Sequence, residues 1–244
     1  MDSQRNNPDV NYPGADSLYT NGNGKPNFEG RYWKDGYGII HQLDPAPFTY
    51  DEKYSAIYDR EEYARESHVL MSMRLGFIVG AIKRTPASLL DYGYGNGAFL
   101  KMARRLVPMV TGYDITGVQL DGIKTIDGRE GVKPVPADVY TLWDVIEHVP
   151  ELELVYNLPC NYLVLSTPYC HQDSMGEEWF LNNYRHLKPN EHLHHFTPKS
   201  LERFMHFAGY KLLANGFYED VVRKGPDVGL VNIFSQVYER NEPY

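Results

Sequence analysis

The chain has little of what disulfide-bonded, membrane-spanning or nucleic-acid-binding proteins need. Among 244 residues there are two cysteines, Cys160 and Cys170. Both fall in or near an apolar run that reads as a core strand, so neither a disulfide framework nor a cysteine-rich zinc site is expected. No apolar run approaches the roughly 20 residues of a membrane span. The N-terminus lacks a hydrophobic signal core, which makes the cytoplasm the expected location. Basic residues number 24 against 32 acidic ones, a net charge of −8. That balance argues against a broad phosphate-binding face, so nucleic acid is not the expected partner. Branched aliphatics are nearly missing from the start: only Val10 and Leu18 precede Ile39. Such a segment cannot build its own core. Residues 1–50 are therefore expected as an extension or cap, held to a main domain of residues 51–244 through Tyr32, Trp33, Tyr37 and Phe48. A Walker loop is also lacking, since no Gly-Lys-Ser/Thr follows the glycine-rich run.

What is present centres on Leu89–Leu100: a buried strand ending in Asp91, the turn Gly93-Tyr94-Gly95-Asn96-Gly97, then a helix. Phe99, Met102, Ala103 and Leu106 fall at helical spacing on one apolar face. The three glycines allow a sharp turn and a close ligand approach with no Cβ in the way. A loop of this kind at the carboxyl end of a parallel strand is where open α/β sheets bind nucleotide-like ligands. The third glycine comes one residue too early for the dinucleotide fingerprint G-x-G-x-x-G. A second strand, Val110–Asp114, ends in another acid, suited to accept ribose hydroxyls or to cap a turn.

Strands and helices then alternate, with strands expected at 88–91, 109–114, 138–143 and 161–166 and a helix at 97–106. This implies a parallel sheet with helices on both faces. Upstream, residues 51–83 read as two helices, with a stripe of Leu70, Met73, Phe77 and Ala81, and Tyr54 and Tyr58 read as core or as the rim of a ligand mouth. Downstream, Thr197 and Pro198 open a helix that Gly209 stops. Two strand-like runs follow, Tyr210–Tyr218 and Gly229–Tyr238, with no helix expected between them, so they pair antiparallel.

The run D-x-G-x-G-x-G at Asp91–Gly97 resembles the first motif of class I S-adenosylmethionine-dependent methyltransferases. Trp143-Asp144-Val145-Ile146-Glu147-His148-Val149-Pro150 resembles the fourth-strand motif of their small-molecule members, and Tyr162–Tyr169 the fifth strand and its exit. Glu191–Leu201 is similar to the stretch that closes the acceptor site in ubiquinone-pathway O-methyltransferases and sugar methyltransferases. The resemblance spans about residues 85–215. It implies a Rossmann-like α/β fold: a seven-stranded, mostly parallel sheet ending in an antiparallel hairpin. It implies S-adenosyl-L-methionine as cofactor and a small-molecule acceptor methylated on oxygen or carbon. Asp91, Gly93, Gly95, Gly97, Asp114, Trp143 and Asp144 then form the cofactor site. His192, or failing that His148, takes the acceptor proton, because histidine is the usual near-neutral proton carrier. One departure stands out. The interval from Asp114 to Asp138 is short, with Pro134-Val135-Pro136 as the only candidate third strand and no acid assigned to adenine. A metal cluster of His192, His194 and His195 is disfavoured, since no cysteine and few acids accompany it. A nucleic-acid methyltransferase is disfavoured by the negative charge and by Trp-Asp-Val-Ile where amino-directed DNA enzymes carry D/N-P-P-Y. An inactive methyltransferase-like module stays open because of the short 114–138 interval.

Overall fold

A computed structural model describes residues 30–49, 61–131, 133–223, 229–242 and 244. Tyr54, Tyr58 and residues 1–29 lie outside them. Two short strands come first, β1 (Tyr32–Lys34) and β2 (Ile40–Gln42), paired antiparallel. Helix α1 (Glu61–Ile82) follows. Then come β3 (Ser88–Tyr92), α2 (Ala98–Ala103), β4 (Met109–Asp114), β5 (Lys124–Asp127), β6 (Ala137–Trp143) and β7 (Cys160–Pro168). Short helices α3 (Gln172–Met175) and α4 (Glu177–Asn183) lead to β8 (His194–His195), α5 (Pro198–Phe207), β9 (Tyr210–Gly216), α6 (Asp220–Arg223) and β10 (Ile233–Arg240).

Seven strands form one sheet in the order β5-β4-β3-β6-β7-β10-β9. Strands β3 to β7 run parallel, and β10 runs against both β7 and β9. The chain steps one way from β3 to β5 and the other way from β6 to β7. That reversal opens a crevice at the carboxyl ends of β3 and β6, the standard ligand position in such sheets. Side chains alternate across the sheet. Leu89, Val139, Val164 and Val237 face α1 and α2, while Leu90, Tyr140, Leu142, Leu163 and Leu165 face α5. Helix α5 starts as its sequence dictates: Thr197 accepts from the Ser200 backbone and Ser200 reciprocates, with Pro198 in the first turn.

Four expectations change. Residues 61–82 form one helix, while residues 51–60 lie outside the described ones; the buried residues of the helix are Met71, Arg74, Leu75, Ile78 and Ile82, and Leu70, Phe77 and Ala81 of the expected stripe flank them, partly buried against the same core. A charged residue on the buried side, Arg74, shifts the phase that hydrophobicity alone suggests. Leu106 is exposed, and Leu100 and Val107 take its place in the core. The third strand is Lys124–Asp127, parallel to β4, not Pro134–Pro136. Prolines cannot donate to a ladder, and β5 escapes notice because Ile126 is its only large apolar residue. The second C-terminal strand starts at Ile233, and the short helix α6 precedes it.

The described part of the first 50 residues is packed, not pendant. Strand β2 also pairs with β8, giving a three-stranded sheet, β1-β2-β8. Tyr32 and Ile40 are buried with Cys170, Phe180 and Tyr184, and Ile39 enters the main core. Tyr37 rests on Phe204 and Phe207, whereas Phe48 stays exposed. No described helix is long and apolar enough to cross a membrane.

Candidate active site

The glycine loop links β3 to α2, and all three glycines have positive φ, 79°, 53° and 73°. Their missing Cβ atoms serve different ends. At Gly93 a Cβ would sit 2.5 Å from Val145, and at Gly97 it would sit 2.3 Å from Leu120. Those two are small for packing. At Gly95 nothing lies within 4 Å, so this is the glycine that faces open space. The Gly95 amide donates to Asp114 Oδ2 at 2.8 Å, and Thr116 N donates to Oδ1 at 2.8 Å. Asp114 thus ties the end of β4 to the loop and keeps further acceptor capacity, since a carboxylate offers about four lone-pair sites. Asp91 is buried beneath the loop and accepts from Thr141 Oγ1 at 2.6 Å; burial raises its carboxyl to about 7. Tyr92 and Tyr113 stack at 4.6 Å beside it. Asp127, beyond the expected site, ends β5 in register with Asp114. Its carboxylate caps the following turn and holds Arg129.

The end of β6 differs from expectation. Alternation turns the Trp143 ring toward α1 and α2, between Phe99 and the Arg74 guanidinium, 4.5 Å from its ring centre. It is a core residue there. Asp144 has φ 55°, and its carboxylate meets Arg223 at 2.8 and 2.9 Å and Arg74 at 3.2 Å. Burial opposes its charge, but the two guanidiniums outweigh burial and hold the carboxyl below its usual range. Arg74 also grips the fully buried Glu219 through two bonds, at 2.9 and 2.8 Å. The side chain of Asp144 is therefore engaged by two arginines.

Three residues from the segments after β6 and before β8 converge. Glu147 is buried; its Oε2 accepts from Thr167 Oγ1 at 3.1 Å, and its Oε1 has no hydrogen-bond partner among the described residues. His148 Nδ1 donates to the Glu191 carbonyl at 2.8 Å, and His192 Nδ1 to the His186 carbonyl at 2.9 Å. A carbonyl only accepts, so each Nδ1 carries the hydrogen, and in the neutral ring Nε2 carries the lone pair. The rings meet edge to face at 4.7 Å. One ligand atom from each of Glu147, His148 and His192 lies within 4.8 Å of the others. Burial, then the neighbouring His148, lower His192 to about 2, and burial lowers His148 as well. Both shifts favour the neutral rings. His194 instead donates to Val149 O and contacts His41, and His195 is packed among Tyr32, Phe180 and Tyr184. The three histidines of 192–195 thus face three surroundings. Glu147, which the sequence suggests as a structural residue, joins the two histidines here; the sequence signal for the meeting is the repeated Glu-His pair, 147–148 and 191–192.

Next to this cluster a shallow depression, the cleft, lies beyond β7, lined by Tyr169, His171, Trp179, Tyr184, Arg185 and His186 among others. Tyr169 and His171 stack at 3.8 Å on its wall.

A family model described as a methyltransferase domain matches residues 60–215. No curated protein matches the chain significantly in sequence. Among solved structures, similarity extends to the Burkholderia thailandensis 1,6-didemethyltoxoflavin N1-methyltransferase, with TM-score 0.51 and 11% identity over 84% of this chain and 96% of that one. A putative methyltransferase from Bacillus halodurans C-125 gives 0.51 and 15% over 70% and 98%. The plantazolicin methyltransferase BpumL gives 0.51 and 16% over 78% and 90%. At these identities the structural likeness speaks for the fold.

Proposed function

The chain belongs to the class I S-adenosylmethionine-dependent methyltransferases, and from that premise we propose that it methylates an oxygen or carbon atom of a small molecule seated in the cleft beyond β7. The carrying observation is the group of rings at that shallow cleft, Tyr169, His171, Trp179 and Tyr184, which follows the carboxyl end of β7 at the same edge of the sheet as the glycine loop. A wall of flat rings suits a planar or ring-bearing acceptor, and a net charge of −8 does not suit a long phosphate backbone. Two neighbours were crystallised with S-adenosylhomocysteine beside an acceptor compound, 1,6-didemethyltoxoflavin in one and a triazolic desmethylPZN analog in the other.

The residues fit the cofactor. Gly95 presents backbone with open space where a Cβ would stand, and Asp114 holds that loop with acceptor capacity to spare for ribose hydroxyls. Gly93 and Gly97 fix the loop against Val145 and Leu120. Asp91 lies under it, placed to take up the charge of the amino-acid end. S-adenosylmethionine, when bound, supplies a methyl group on a cationic sulfur that leaves without a proton. The protein's share is positioning and exclusion of water.

The test is S-adenosylhomocysteine binding by calorimetry, followed by an acceptor screen that places small hydroxylated compounds and nucleotide sugars before nucleic acids. Wild type should bind, and Asp114→Ala should bind about 1–3 kcal/mol more weakly, the scale of charge-assisted bonds left unmade. Methyl incorporation into RNA or DNA alone would overturn the acceptor assignment.

A further inference from the structure

Resting on that reading for its acceptor side, we propose that Glu147, His148 and His192 form a binding site for a divalent metal ion, and that the acceptor is a molecule with hydroxyl oxygens able to join the ion's coordination shell. Glu147 Oε1 is a carboxylate oxygen buried without a hydrogen-bond partner among the described residues. An acceptor so placed costs free energy unless something positive faces it. The histidines cannot answer with hydrogens, because the Nδ1–H of each is already donated to a backbone carbonyl. A proton shared between Glu147 and His148 fails on distance: Oε1 and Nε2 are 4.0 Å apart, beyond hydrogen-bond reach. That separation suits an ion between them. Two bonds of about 2.1 Å reach across roughly 4 Å at most, so a small closure completes the contact.

The surroundings are those of a built metal site. Each histidine is oriented by a carbonyl on its other nitrogen, and the carboxylate is held by Thr167 through its second oxygen. The two loops are pinned together by the Leu193 and His194 amides, which both donate to the Glu147 carbonyl, at 2.7 and 3.2 Å. The nearby ammonium of Lys188 is paired with Glu191 at 2.9 Å. Two imidazoles and one carboxylate suit zinc, manganese or ferrous ion over magnesium or calcium, and three protein ligands leave positions open for another molecule. The cluster borders the cleft: the His186 carbonyl orients His192, and the His186 and Tyr184 side chains line that cleft. An acceptor oxygen bound to the ion loses its proton to water more readily, since a metal lowers the pKa of a coordinated hydroxyl. This supplies activation of the acceptor oxygen without a protein base.

The full chain, stripped with a chelator and dialysed, is titrated with Zn²⁺ and with Co²⁺ by calorimetry, and the Co²⁺ visible spectrum is recorded. One ion per chain with a nitrogen-containing coordination spectrum is expected. Glu147→Gln keeps the shape and the Thr167 bond, and should bind the ion at least tenfold more weakly. His192→Ala should do the same. Both should keep S-adenosylhomocysteine affinity within about twofold, which reports that they fold. Wild-type protein that takes up no stoichiometric ion overturns the proposal. So do Glu147→Gln and His192→Ala proteins that bind it as wild type does. Ion binding without S-adenosylhomocysteine binding would instead leave the metal site standing and remove the methyltransferase reading.

Discussion

Three glycines at alternate positions do two jobs, and single substitutions separate them. Gly95→Ala meets open space, so its cost is the left-handed backbone alone, about 1–2 kcal/mol. Gly97→Ala carries the same backbone cost and also drives a Cβ to within 2.3 Å of Leu120, adding an overpacking cost of about 1–3 kcal/mol. The expected pattern is a cross. In urea denaturation Gly97→Ala loses more stability than Gly95→Ala. In calorimetry Gly95→Val, which fills the open space, loses S-adenosylhomocysteine binding while remaining folded. Equal stability losses with equal binding would mean that Gly95 is not the cofactor-facing residue. The spacing of the glycines was legible in the sequence; which one faces open space was not, because Val145 and Leu120 reach the loop from elsewhere in the chain. The same holds for His192. Its neighbours His194 and His195 are plain in the sequence, but its partners Glu147 and His148 come from the segment after β6, and that meeting is made only by folding.

At the level of elements, what was legible is what local pattern controls. The alternation of Leu89 and Leu90, and of Val139 and Tyr140, marks β3 and β6, and the Thr197–Ser200 box marks α5. What was not legible is where a charged residue is paired from a distance. Arg74 sits on the buried side of α1 because Glu219 and Asp144 receive it, and no hydrophobic count reports that. Arg84, just after α1, makes a second such link: it holds Asp138 at the start of β6 through bonds of 2.6 and 2.8 Å. That pairing lowers the Asp138 carboxyl, with the Ala87 amide and Asn161 adding to it and burial opposing. A carboxyl lower in the folded than in the unfolded chain favours folding above the unfolded value, near 4 for aspartate. The contribution fades as pH falls from there through the folded value. Asp138→Asn should therefore be less stable than wild type at pH 7, and the gap should narrow as pH drops below about 4. Urea midpoints measured from pH 7 to pH 3 check this. A gap that stays constant with pH would place the effect in packing and not in the ion pair.

The whole molecule is held together partly by residues that a reading of composition would set aside. Tyr32, Ile39 and Ile40 come from the segment poor in branched aliphatics, yet each is 2% exposed or less. Ile39 belongs to the cluster that packs α5 on the sheet, whereas Tyr32 and Ile40 share a cluster with Phe180 and Tyr184. The strap thus joins the main core to one wall of the cleft. Burying three such side chains contributes roughly 5–9 kcal/mol as an upper estimate, comparable with the entire stability of a typical domain. Deleting residues 1–49 should therefore abolish cooperative folding, whereas a free tail would leave the urea midpoint where it was. Tyr32→Ala asks the finer question. It removes a ring packed edge-on against Phe180 at 5.4 Å, a loss of about 3–5 kcal/mol for a large buried side chain. Because Phe180 stacks on Tyr184 at 5.8 Å and Tyr184 lines the cleft, the damage should reach the acceptor side first. Once an acceptor is identified, Tyr32→Ala should raise its KM several-fold at a temperature where the variant is still folded. Its S-adenosylhomocysteine affinity should stay near wild type, since Tyr32 packs on Phe180 of α4 and His195 of β8. If cofactor and acceptor binding fell in proportion, the strap would be supporting the fold as a whole and not shaping the cleft.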